Sequence, residues 1–202
     1  MKHFLLFLLS ISFGITYSQN SVQDYLDKTL IELKKESKID SRDKRALTLL
    51  DSFYNETLQS EKGELSPITA KKLETYLTTD KIPNNHILIL FLMYQEYITQ
   101  TEINGKKANT EYQLASINLL ENEIKSIYSK VPTIIYVYKF EALEADNKKE
   151  EATQILELGL NVSADSIPLK VYKFLNTKDD KIKTDLVNNH KNHWMVQQFG
   201  IK

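Results

Sequence analysis

The sequence contains no cysteine, five glycines, four prolines and one tryptophan in 202 residues. The absence of cysteine excludes disulfides, thiolate metal sites, a cysteine nucleophile and a lipid-attachment cysteine, so an exported form of this chain must be held by its core. The glycines are too scattered for a phosphate loop or a dinucleotide turn, and no serine sits in a Gly-x-Ser-x-Gly elbow. Charge of one sign is lacking too: 26 basic residues face 27 acidic ones, with a pI near 6.4. That balance excludes the electrostatic footprint of a nucleic-acid binder, and opposite charges alternate as on solvated helix faces. No cofactor is implied.

The first apolar run is too short to span a bilayer, which takes roughly 18 or more apolar residues. Lys2, the stretch Phe4 to Leu9 and a small, polar end at Thr16 to Gln19 read as a secretory signal peptide of bacterial type over residues 1–18, with cleavage after Ser18. The expected address is periplasmic or secreted, with no transmembrane segment after removal of the leader. The remaining 184 residues, 19–202, suffice for one domain with a substantial core and carry a net charge of −2. Two sequons, at Asn55 and Asn161, matter only in a host that glycosylates secreted chains.

Helical periodicity fills the mature chain, and no strand is required. Val22, Leu26, Leu30 and Leu33 form the stripe of a first helix, with Ser21 and Asp24 as an approximate capping box. A second helix, starting after Asp40 or Ser41, carries Ala46, Leu50, Phe53, Tyr54 and Leu58, and Gly63 is its expected left-handed cap. Ser66-Pro67 opens a third helix, in which Ala70, Leu73, Tyr76 and Leu77 should face inward. The run Ile87 to Tyr94 continues into Gln95, Glu96 and Gln100 without a turn signal, which favours a buried helix over a buried strand. Thr110 with Gln113 should cap the next helix, Asn147 with Glu150 a later one, and Thr177 with Asp180 the last long one. The end, 190–202, with Trp194, Met195, Val196 and Phe199, reads as a closing tail.

One short word occurs twice: Val137-Tyr138-Lys139-Phe140 returns as Val171-Tyr172-Lys173-Phe174, an offset of 34 positions. Between the copies runs a segment with small residues at Ala152 and Gly159 and a large apolar one at Leu156. Period and pattern together resemble the tetratricopeptide repeat over about residues 132–189. The resemblance implies helical hairpins stacked as a short αα-solenoid, with both copies of the word on first helices. Residues 19–131 would then form N-terminal hairpins, 132–189 the tetratricopeptide-like ones and 190–202 a cap.

If the hairpins stack in register, Lys139 and Lys173 would line one groove and grip an acidic ligand. Tyr138 and Tyr172 beside them could stack on a peptide, although aromatic residues at helical spacing are usually core. The lysines could equally lay their stems over neighbouring rings. His190 and His193 share the spacing of a metal pair, but no third ligand is evident among their neighbours. His86 beside the apolar run reads as a first-turn residue. The chain is thus expected to be an exported, non-catalytic protein-interaction or assembly module binding another protein or peptide. The alternative is a helical hydrolase or small-ligand-binding protein of the cell envelope, with a site that spacing does not reveal.

Overall fold

The computed structural model describes residues 19–105 and 108–202, and the leader expected at 1–18 lies outside the described residues. Among the described residues are ten α-helices and no strand, so the chain is all-α. In order these are α1 (Gln19–Glu36), α2 (Arg45–Tyr54) running into a π-helical turn (Asn55–Gln59), α3 (Pro67–Thr78), α4 (Asn85–Ile103) and α5 (Thr110–Tyr128). They continue as α6 (Thr133–Ala145), α7 (Lys149–Val162), α8 (Ile167–Thr177), α9 (Asp180–Asn189) and α10 (Trp194–Gln198). No helix among the described residues is long and apolar enough to cross a membrane.

The chain divides into two compact units, with boundaries inside α2 and α3. The first comprises the described residues up to Ala46 together with Leu73–Val131, and the second comprises Leu47–Lys72 with Pro132–Lys202. Residues 47–72 therefore belong with the C-terminal helices and not with the N-terminal hairpins expected over 19–131. Long-range hydrogen bonds from the π-helical turn and the loop after it explain the difference, because local periodicity carries no trace of them.

In the first unit α1, α4 and α5 pack pairwise. Val22, Leu26 and Leu33 are buried along α1, as its stripe predicts. On α4, Ile87, Leu88, Leu90, Phe91 and Tyr94 are buried, which settles the long apolar run as helix. The stripe of α5 is buried at Leu114, Ile117, Ile124, Ile127 and Tyr128. Asn84 starts α4 from a left-handed conformation, φ 61°, and is fully buried. Its amide substitutes for a backbone partner: Oδ1 accepts from Asp40 N at 3.0 Å, while Nδ2 donates to Asp40 O at 2.7 Å and to the Tyr128 hydroxyl at 2.7 Å. Buried polar groups of this kind must be paired, and Asn84 ties the 38–43 loop to the unit by satisfying several at once.

In the second unit α6 packs on α7, α7 on α8, and α8 on α9, on the π-helical turn and on α10. On α6, Ile134, Ile135, Val137, Tyr138, Phe140, Ala142 and Leu143 are buried, so apolar side chains cover most of its circumference. Gly159 sits where α7 meets both neighbours: a Cβ there would lie 2.8 Å from Leu169 Cδ1 and 2.9 Å from Tyr136 Cβ. The glycine thus serves close approach rather than ending a helix, since α7 continues to Val162. Beyond α9, Met195, Val196 and Ile201 join Ile167, Val171 and Leu186 in one apolar cluster, so the tail closes this unit.

Several caps fall one or more residues from their expected places. α1 is already helical at Gln19, so Ser21 lies inside it. α2 begins only at Arg45, because Asp40 and Asp43 accept backbone N–H bonds from Arg42 and Arg45 and hold a turn first. Asn109, not Thr110, caps α5, and Asp179, not Thr177, caps α9; each offers a carboxylate or amide oxygen to N–H groups of the first turn. Asn147 takes the left-handed position after α6, φ 60°, with Lys148 N bonding Leu143 O and Asn147 N bonding Glu144 O, so it ends α6 instead of opening α7. Gly63 is left-handed at φ 69° but lies in the loop beyond the π-helical turn. Ala70 is exposed and Thr69 takes the buried place, while Phe199, in the closing tail, is 42% exposed.

Replacing Gly159 by Ala should destabilise the chain by about 1–3 kcal/mol, because Tyr136 Cβ is fixed to its helix and cannot yield as a side-chain tip does. Thermal unfolding reads this directly, and an unchanged midpoint would contradict the close helix contact.

Candidate functional site

The repeated word lies on α6 and on α8, the first helices of two consecutive pairs. Phe140 of the first copy stacks on Tyr172 of the second, with ring centroids 4.8 Å apart and planes at 27°. Phe199 meets the Tyr172 ring edge-on at 6.3 Å, and the Tyr172 hydroxyl donates to the Glu141 carboxylate. Burial first, then the Glu141 charge, pushes the Tyr172 phenol far above its ordinary range. Its proton is therefore fixed, and the ring is clamped between two others.

The four residues expected to bind a ligand are thus placed differently from one another. Tyr138 is buried and belongs to the core, leaving no ring face for a ligand. Tyr172 is half-buried in the aromatic clamp. Lys173 is half-buried with Nζ 2.8 Å from Glu157 of α7, and Lys139 is half-buried on α6. What the fold brings together is the Phe140–Tyr172 pair, and with it the helical turns that carry the two lysines.

His193 is fully buried and caps α10: its Nδ1 accepts from Met195 N at 3.2 Å, which leaves the hydrogen on Nε2 for the Leu58 carbonyl at 2.9 Å. Burial holds it below the usual histidine range. With both ring nitrogens engaged, His193 offers a metal no lone pair, so the pairing with His190 weighed from their spacing does not form. No cluster of three or more metal-ligating side chains occurs among the described residues.

A polar knot surrounds the π-helical turn. Tyr54 Oη lies 2.9 Å from Gln59 Oε1, which can only accept, and 2.6 Å from Ser166 Oγ. Tyr54 therefore donates to Gln59 and receives from Ser166. Gln59 also accepts from Ile167 N and donates to Asp165 O. Burial pushes the Tyr54 phenol up to about 12. Every member is paired, so this knot fastens the start of α8.

The first unit holds a cluster that sequence spacing did not reveal. His86 is fully buried on α4; its Nδ1 lies 2.9 Å from Ser37 Oγ, and its Nε2 lies 3.0 Å from Glu123 Oε1 on α5. Lys34 of α1 reaches the same oxygen at 2.7 Å. The His86 bond, acting with Lys34 against the cost of burial, holds the Glu123 carboxyl below its usual range. Glu123 is the sole acidic residue among the buried polar side chains of the described residues, yet its helix surroundings Glu121 and Lys125 look alike in sequence, so only packing distinguishes it. Nearby, Tyr112 and Ser116 lend polarity to an otherwise apolar cleft of about 220 Å³, solvent-open space included.

Comparison of the chain with protein families, curated proteins and solved structures finds no match.

The ion pair has a definite acid signature. Because the Glu123 carboxyl is held below its ordinary range, its contribution is complete above the usual glutamate value, about 4.3, and is lost as the pH falls through the lowered one. Glu123→Gln should lower stability at neutral pH by about 1–3 kcal/mol and flatten this acid limb. Urea unfolding between neutral pH and pH 3 measures both, and parallel pH curves for parent and variant would contradict the assignment.

Proposed function

We propose that this chain is an exported protein-interaction or assembly module whose second unit receives an acidic peptide across the first helices α6 and α8. The observation that supports the reading is the Phe140–Tyr172 stack, whose two rings are the sequence neighbours of Lys139 and Lys173. Lys173 is held meanwhile by Glu157, whose side chain is 48% exposed, and exposed ion pairs contribute only about 0–1 kcal/mol. An incoming carboxylate can displace Glu157 at little cost and gain a charge-assisted hydrogen bond. The tetratricopeptide-like hairpins over residues 132–189 belong to the same proposal, since that architecture presents successive first helices to one ligand.

Anisotropy titration with fluorescent acidic peptides tests this reading. The parent chain should bind with an affinity that weakens as salt is raised, and Lys139→Glu with Lys173→Glu should weaken it by at least about tenfold, the effect of roughly 1.4 kcal/mol lost. Equal binding by the parent and the double variant would remove the two lysines from the interface.

A further inference from the structure

The protons in the buried chain of the first unit are assigned by what each atom can do. Glu123, ionised beside Lys34, only accepts, so the His86 Nε2 that faces it carries the hydrogen. Nδ1 then presents its lone pair to Ser37, and the hydroxyl 2.9 Å away donates into it. Nucleophile, base and orienting acid are thus linked in that order, which is the arrangement that activates a serine hydroxyl.

We propose that Ser37 is a reactive serine that takes up an acyl or phosphonyl group from small activated esters. Burial is graded as the chemistry needs: His86 is fully buried, Glu123 is 6% exposed, and Ser37, in the segment just after α1, is partly exposed. Water is kept from the base, while Ser37 lies in a partly exposed position. Because Ser37 is only partly exposed, donors with a small, unhindered acyl group fit best. Ser37 Oγ forms its bond to the ester carbonyl carbon as its proton passes to His86 Nδ1, and the imidazolium is held by Glu123. Collapse of the tetrahedral adduct breaks the bond to the leaving alcohol, which departs with the proton from His86. Water attacking the acyl-serine by the same route returns the acid and restores Ser37. Lys34 on the shared carboxylate oxygen keeps Glu123 ionised and fixes the tautomer, but it also tempers the pull on the His86 proton, so turnover is slow.

This inference goes beyond the interaction-module reading and concerns residues of the other unit, so either can fail alone. The full chain is treated with a fluorophosphonate probe, folded and in urea, and labelled serines are located by peptide mass mapping. Ser37 should be labelled at least about tenfold faster in the folded chain than in urea, since a positioned general base contributes roughly 10²–10⁴. Ser37→Ala should abolish that label, and His86→Gln, which keeps an amide in the chain of bonds, should reduce it to the rate of an ordinary serine. The folded-to-unfolded comparison needs no variant, so it decides the matter even where His86→Gln fails to fold. Labelling of Ser37 no faster than in urea, or fast labelling of a different serine, would overturn the proposal and leave the Ser37–His86–Glu123 chain as a fastener of α1, α4 and α5.

Discussion

The second unit depends on the absence of one side chain. At Gly159, helix α7 comes so near Tyr136 of α6 and Leu169 of α8 that a Cβ would stand under 3 Å from both. Real Cβ atoms do not tolerate such contacts, and since Tyr136 Cβ cannot yield as the Leu169 tip can, the approach of α7 to α6 depends on this one residue. About one turn further along the same faces of α6 and α8, Phe140 and Tyr172 stack, and α10 seals the apolar cluster around Val171 and Leu186. A chain without disulfides has to obtain its uniqueness from this kind of fit.

The first unit is specified differently. Its helices share apolar stripes that several packings could satisfy, and the buried polar groups choose among them. Asn84 accepts only one placement of the 38–43 loop, and His86 with Glu123 accepts only one facing of α4 and α5. Unpaired, each of these groups would cost about 1–3 kcal/mol, more for the carboxylate, so alternative registers are penalised more than apolar packing alone would penalise them. Within the second unit, the knot of Tyr54, Gln59 and Ser166 does the same for the start of α8.

Much of the helical order was legible because apolar periodicity is a local property: the stripes of α1, α4, α5 and α6 lie buried where their spacing puts them. Gly159 was legible too, as a small residue on an inward face. Capping was read less well, since Asn109 and Asp179 each stand one or two positions from a residue that could serve equally, and the choice turns on backbone geometry. The π-helical turn and the membership of residues 47–72 were not legible, because they rest on bonds across more than 100 positions, such as Gln59 to Ile167 and His193 to Leu58. Of the candidate site residues, spacing located Lys139 and Lys173 on matching helices, but it could not distinguish a clamped Tyr172 or a buried Tyr138 from free stacking surfaces. His86 looked like a first-turn residue, which it is; its partners Ser37 and Glu123 lie 49 and 37 positions away.

The proposed function rests on geometry within the second unit: Gly159 admits the close approach of α7 to Tyr136, and Phe140 stacks on Tyr172, the neighbours in sequence of Lys139 and Lys173. Backbone NMR of the isotope-labelled chain during titration with an acidic peptide tests this most directly. The account predicts shift changes confined to α6, α8 and the Glu157 turn of α7, growing together along one binding curve. Changes centred instead on residues of the first unit, or none at millimolar peptide, would contradict it.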